Sequence, residues 1–148
     1  MESALKEYFN SLKGKKVAVI GLGVSNRPLV EGLLDAGVKV LVCDKRRRED
    51  FNGLIETLER RGMTAALGLS YLDHLDGMDV IFRTPGLRPD VPQIEKAVAA
   101  GAELTSEMEA FLDLCPCRMI AVTGSDGKTT TTTIIAGLLK AAGYRTFV

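Results

Sequence analysis

From Lys16 onward, short apolar runs alternate with segments of helical period. Lys16-Val17-Ala18-Val19-Ile20 stops at Gly21, and a run this short without alternation predicts a strand buried on both faces. Pro28 suits the first turn of the next helix, because it has no N–H to leave unpaired. Leu29, Leu33 and Leu34 give that helix its apolar face, and Gly37 ends it. Val38 to Cys43 predicts a second strand, closed by Asp44. Leu54, Ile55 and Leu58 mark a second helix that stops at Gly62. Between Met63 and Gly77 the pattern is weakest and suggests only a short strand and a turn of helix. Val80-Ile81-Phe82 is a further strand, halted by Thr84-Pro85-Gly86. Ile94, Ala97 and Val98 give a helix ended by Gly101, and Glu103 to Thr105 a short strand. Ser106 followed by Glu109 has the spacing of a capping box. Met119 to Val122 predicts another strand and Ile134 to Ala142 a helix ended by Gly143. Tyr144 to Val148 has the composition of one more strand.

Strands and helices that alternate through short Gly/Pro turns imply parallel strands joined by right-handed crossovers. The expected fold is α/β, a Rossmann-like doubly wound parallel sheet. It is followed by the first strand-loop-helix of a P-loop ATPase domain. Pro116 stops the preceding helix, so the boundary is expected there, with domains at 1–116 and 117–148.

The chain has 148 residues, with 19 Lys+Arg against 19 Asp+Glu. That balance argues against a sequence-blind nucleic-acid binder. No apolar run approaches the ~20 residues that cross a bilayer, and Met1 to Lys16 lacks the apolar stretch of a signal peptide. Three cysteines make no disulfide framework, and with one histidine they make no structural zinc site. A reduced, cytoplasmic protein is expected.

Two turns carry candidate chemistry. Gly21-Leu22-Gly23-Val24-Ser25-Asn26 follows the first strand. Gly21 and Gly23 leave room for backbone to approach a pyrophosphate, which the helix N-terminus then attracts. Asn26 stands where the dinucleotide fingerprint has a third glycine, and Asp44 ends the second strand, where an acid binds a ribose hydroxyl. The second turn is Thr123-Gly124-Ser125-Asp126-Gly127-Lys128-Thr129-Thr130. It lies between a predicted strand and a helix, the context a phosphate-binding loop requires. The strict form of that motif would put a glycine at Val122. In the shorter form, backbone N–H groups cradle a phosphate, Lys128 bridges β- and γ-oxygens, and Thr129 holds Mg²⁺. A dinucleotide-like turn together with an ATP turn is the logic of a synthetase acting on a nucleotide-linked substrate.

These residues resemble the Mur ligase family, the ATP-dependent amide-forming ligases of peptidoglycan precursor synthesis. T-G-S-D-G-K-T-T looks like the family's ATP loop, with Asp126 in place of the usual Asn. The glycine-rich opening, Thr84-Pro85-Gly86 and Glu107-Met108-Glu109 are similar to motifs of the branch that adds D-glutamate. The resemblance implies ATP and Mg²⁺ as cofactors, with UDP-N-acetylmuramoyl-L-alanine and D-glutamate as substrates, and no nucleic acid or membrane insertion. Gly124, Ser125, Asp126, Gly127, Lys128, Thr129 and Thr130 would bind ATP, with Lys128 and Thr129 catalytic and Thr129 on the metal. Gly21, Gly23, Val24 and Ser25 would meet the UDP diphosphate. Asp44, Lys45 and Arg46 would border the uracil, and Thr84, Pro85 and Gly86 would form the other wall. The family's amino-acid-binding domain finds no counterpart in these residues. The chain is therefore expected to be an N-terminal piece of a monomeric ligase, inactive alone, whose apolar face of Ile134, Ile135, Leu138 and Leu139 either folds back on the first domain or pairs between chains.

Two other functions compete with the ligase. A nicotinamide-dependent oxidoreductase would use Gly21, Gly23 and Asp44 and leave Lys128 unexplained. A non-catalytic nucleotide-binding module would use either turn. The Lys45 to Arg48 run is expected as a solvated loop, His74 as a surface residue, and Cys43 as a small core residue.

Overall fold

The computed structural model describes residues 2–148. It divides into two compact units, one ending at Cys115 and the other Pro116–Val148. The first contains α1 (Glu2–Ser11), β1 (Val17–Ile20), α2 (Asn26–Asp35), β2 (Val40–Asp44), a 3-10 turn (Arg48–Phe51) and α3 (Leu54–Glu59). It continues through β3 (Thr64–Leu67), β4 (Val80–Phe82), α4 (Pro92–Ala99), β5 (Glu103–Thr105) and α5 (Glu107–Leu114). All five strands are parallel, in the order β3-β2-β1-β4-β5. This is the α/β sheet expected from the alternation, with the strand order of the Rossmann type.

Both faces of the sheet are covered, so its central strand is apolar throughout. Val17 and Val19 of β1 point into one cluster, with Leu12, Leu29, Leu33, Ile55 and Leu58. Ala18 and Ile20 point into the other, with Leu72, Leu75, Ile94 and Ala97. The chain runs outward through β2 and β3, then returns to lay β4 on the opposite side of β1. At that reversal the loops after β1 and β4 part, and a crevice opens at the carboxyl ends of the strands.

Several elements differ from the sequence expectation. α1 was not anticipated, although Leu5, Tyr8, Phe9 and Leu12 have helical spacing. α2 starts at Asn26 rather than Pro28. Only turns, and no helix, separate β3 from β4. The capping box before α5 is half made: Ser106 Oγ accepts the Glu109 N–H at 3.1 Å.

The larger correction lies in Pro116–Val148, where the only regular element is α6 (Lys128–Ala141). Neither Met119–Val122 nor Tyr144–Val148 is a strand. Parallel strands satisfy their N–H and C=O groups only through neighbours, and residues 116–148 contain no strand to pair with. Of the expected strand-loop-helix, the loop and the helix are present. α6 also begins earlier than the apolar pattern suggested, because the run Thr129 to Thr133 is helical.

Candidate nucleotide-binding site

A cleft of about 330 Å³ lies at the crevice. Its walls come from Gly21 and Gly23 after β1, Asp44 at the end of β2 with Lys45 and Arg46 after it, and Thr84 and Gly86 after β4. Ile20, Tyr71 and Leu87 complete it. Of the residues expected on sequence grounds, Val24, Ser25 and Pro85 do not line it. Gly21 faces Thr84 so closely that a Cβ there would sit 3.4 Å from the threonine side chain. Its φ of +84 also belongs to glycine.

The head of α2 is an open anion cradle. The N–H groups of Gly23, Val24 and Ser25 form no hydrogen bond among the described residues. Ser25 precedes the helix, but its hydroxyl does not cap it. Three unpaired donors at a helix N-terminus favour an anion.

Asn26 explains why the missing third glycine does no harm. The residue is buried, and its Nδ2 donates to the carbonyls of Ile20 at 3.1 Å and Gly21 at 2.9 Å. The amide thus fastens the helix start to the end of β1, where a glycine would only have allowed close approach.

Asp44 is also buried, and both its oxygens are taken. Oδ2 accepts the Leu22 N–H at 2.8 Å and Arg46 Nη2 at 2.9 Å. Oδ1 accepts the Arg46 N–H at 2.9 Å and Nε at 3.1 Å. A carboxylate has about four lone-pair sites, so none is left for a ribose hydroxyl in this arrangement. Burial pushes the Asp44 carboxyl up, but the bonds from Arg46 and Leu22 outweigh it and hold the group below its ordinary value. Arg46 is fixed in turn: Nη2 also donates to the Leu22 carbonyl at 2.9 Å, and the guanidinium lies 4.1 Å from the centre of the Phe51 ring. The Asp44–Arg46 pair therefore splints the loop after β1. Lys45 to Arg48 are all exposed, as the composition suggested, with Arg48 tied to Glu56 at 3.2 Å and Glu59 at 2.7 Å on the surface. Cys43 is a core residue whose thiol burial pushes up to about 12.

In the other unit, Gly124 and Gly127 have φ of +151 and +75. The N–H groups from Ser125 to Thr130 form no hydrogen bond among the described residues. Lys128 Nζ folds back onto the carbonyls of Gly124 at 2.7 Å and Ser125 at 3.0 Å. The Thr129 hydroxyl has no partner among the described residues, while its carbonyl accepts Thr133 Oγ1 at 2.8 Å. No group of three His, Cys, Asp or Glu able to hold a metal occurs among the described residues. A hard divalent cation fits the Thr129 hydroxyl only with nucleotide phosphate oxygens completing its shell.

Residues 15–106 match the family described as Mur ligase MurD-like, N-terminal domain. The chain belongs to the Mur ligase family. The matched stretch contains every cleft residue of this Mur ligase domain and stops before the Lys128 loop. The chain is 51% identical over 148 residues to the UDP-N-acetylmuramoylalanine--D-glutamate ligase of Clostridium botulinum (strain Loch Maree / Type A3), covering 100% of this chain and 32% of that protein. It is 50% identical over 145 residues to the ligase of the same name from Ruminiclostridium cellulolyticum, covering 98% of this chain and 31% of that protein. The chain thus spans about a third of the length of the curated relatives it matches. A shikimate 5-dehydrogenase from Mycobacterium fortuitum superposes with TM-score 0.48 at 18% identity, over 75% of this chain and 52% of that one. That likeness is too loose to bear on function.

Proposed function

We propose that the cleft binds the uridine diphosphate of UDP-N-acetylmuramoyl-L-alanine, and that the chain serves a ligase joining D-glutamate to it with ATP. The observation that carries this reading is the open anion cradle at the head of α2, in a chain about half identical to ligases named for that reaction. The N–H groups of Gly23, Val24 and Ser25 receive the diphosphate, and Ser25 adds a hydroxyl. Lys45 and Arg46 border the uracil. Asp44 acts through Arg46, since its own oxygens are spent on Leu22 and Arg46. Thr84, Pro85 and Gly86 form the facing wall.

The chemistry has two steps. An alanyl carboxylate oxygen attacks the γ-phosphorus of ATP, the bond to the bridging oxygen breaks, and ADP leaves. The amine of D-glutamate then attacks the acyl phosphate carbon, phosphate departs with the C–O electron pair, and the nitrogen loses its extra proton. Lys128 releases the loop carbonyls and stabilises charge on the transferring phosphoryl group. Thr129, together with nucleotide phosphates, would hold magnesium, which would supply further charge neutralisation. Asp126 stands in this loop where the resembled motif has Asn.

Calorimetric titration of the chain tests this reading against the oxidoreductase. UDP is expected to bind and NADH is not. NADH binding without UDP binding would overturn the assignment.

A further inference from the structure

The cleft has one aromatic wall, Tyr71, to which the reading above gives no part. The residue sits in the loop after β3, and that loop is tied to the splint beside it. Gly68 N–H donates to the carbonyls of Asp44 at 3.0 Å and Arg46 at 3.2 Å, and Tyr71 N–H donates to the Gly68 carbonyl at 3.3 Å. The Tyr71 side chain is half-buried: it packs on the cluster of Ile20, Cys43 and Leu72 and also lines the cleft. Its hydroxyl forms no hydrogen bond among the described residues. Lys45 and Arg46 offer charge, and the glycines offer room. Among the residues that line the cleft, only Tyr71 offers an aromatic face.

We propose that the Tyr71 ring is the surface on which the nucleotide base stacks, making it an affinity-determining residue of the cleft. The inference rests on the uridine-nucleotide reading above. A base buries its π-face best against an aromatic ring held from behind, and packing on the core cluster holds this one. Burial, then the nearby Asp44 and Cys43, raise the Tyr71 phenol above its ordinary value. It therefore stays neutral at physiological pH and sets no charge against the phosphates.

The test compares the chain with its Tyr71→Phe and Tyr71→Leu variants, each titrated with UDP and with inorganic pyrophosphate. Calorimetry gives affinity. Tyrosine emission gives proximity, since the chain has three tyrosines and no tryptophan. Tyr71→Leu keeps an apolar group against the core and loses the ring, and is expected to weaken UDP about tenfold to a hundredfold. Pyrophosphate affinity should stay unchanged, which also shows that the variant is folded. Tyr71→Phe should hold UDP within about threefold, yet lose the emission change that UDP causes in the unsubstituted chain. UDP binding by Tyr71→Leu at unsubstituted strength, or an emission change that survives in Tyr71→Phe, would overturn the stacking role alone. Failure of the unsubstituted chain to bind UDP would instead overturn the uridine reading, and the stacking role with it.

Discussion

Two stretches of this chain are written in nearly the same way and end differently. Val17–Ile20 leads into a glycine-rich turn and α2; Met119–Val122 leads into a glycine-rich turn and α6. The first run is a strand with every residue buried, paired to β2 on one side and β4 on the other. The second has no regular structure, with Met119 and Ile120 exposed. Yet the turn and helix after it are formed, with Gly127 in the left-handed region at the N-cap. A helix satisfies its own backbone and a glycine turn needs no partner, whereas a strand is completed only by its neighbours. The apolar run encodes the capacity to be a strand. The rest of the sheet realises it.

The sharpest way to break this comparison is to cut the same side chain from both runs. Ile20 is 1% exposed and Ile120 is 60% exposed. Ile20→Ala removes a buried branched side chain between β1 and its covering elements, and is expected to cost about 2–5 kcal/mol. Ile120→Ala is expected to stay within about 0.5 kcal/mol. Urea denaturation of the two variants measures both. Equal losses would mean that the 119–122 run is packed in solution as firmly as β1.

A second variant probes what holds the first turn in place. Asp44→Asn keeps the shape but removes the charge that Arg46 and the Leu22 N–H share, and should cost about 2 kcal/mol at pH 7. The pH dependence has a definite sign. Because the folded-state value lies below the ordinary 3.8, the carboxylate's contribution is complete above that pH. It is lost as pH falls from there through the lower folded value. The stability gap between the chain and Asp44→Asn should therefore be widest at neutral pH and shrink below about pH 4. A gap independent of pH would show that the Asp44 charge does not support the turn.

Legibility followed the same division. β1, β2 and β4 were readable because each is a short apolar run stopped by a turn residue, whereas β3 (Thr-Ala-Ala-Leu) and the three-residue β5 were only faintly marked. What stayed hidden depended on long-range placement. Tyr71 lies in the stretch of weakest periodicity, and only the pairing of β2 with β3 brings it beside Asp44. Asp44 itself was legible as the residue that ends β2 beside the cleft. Its saturation by Arg46 and Leu22 was not, since that needs the loops after β1 and β2 to meet. α1 carries a readable apolar face in Leu5, Tyr8, Phe9 and Leu12, interrupted by charged residues that dilute its period.

Asn26 makes the smallest expected effect and the finest test. At this position a glycine would allow close packing and offer no bond. The asparagine instead gives two hydrogen bonds to carbonyls at the end of β1. Neutral hydrogen bonds of this kind contribute about 1 kcal/mol each, and their loss leaves buried acceptors short of a donor. Asn26→Ala is therefore expected to destabilise the chain by about 1–2 kcal/mol. Asn26→Gly should cost at least as much, because it adds backbone freedom at the first helical position. If thermal denaturation showed Asn26→Gly as stable as the unsubstituted chain, close approach alone would suffice at this turn, and the amide would be incidental. If both variants lose stability, the turn after β1 is held by the Asn26 amide, as the turn after residues 119–122 is braced by Lys128 Nζ on the Gly124 and Ser125 carbonyls.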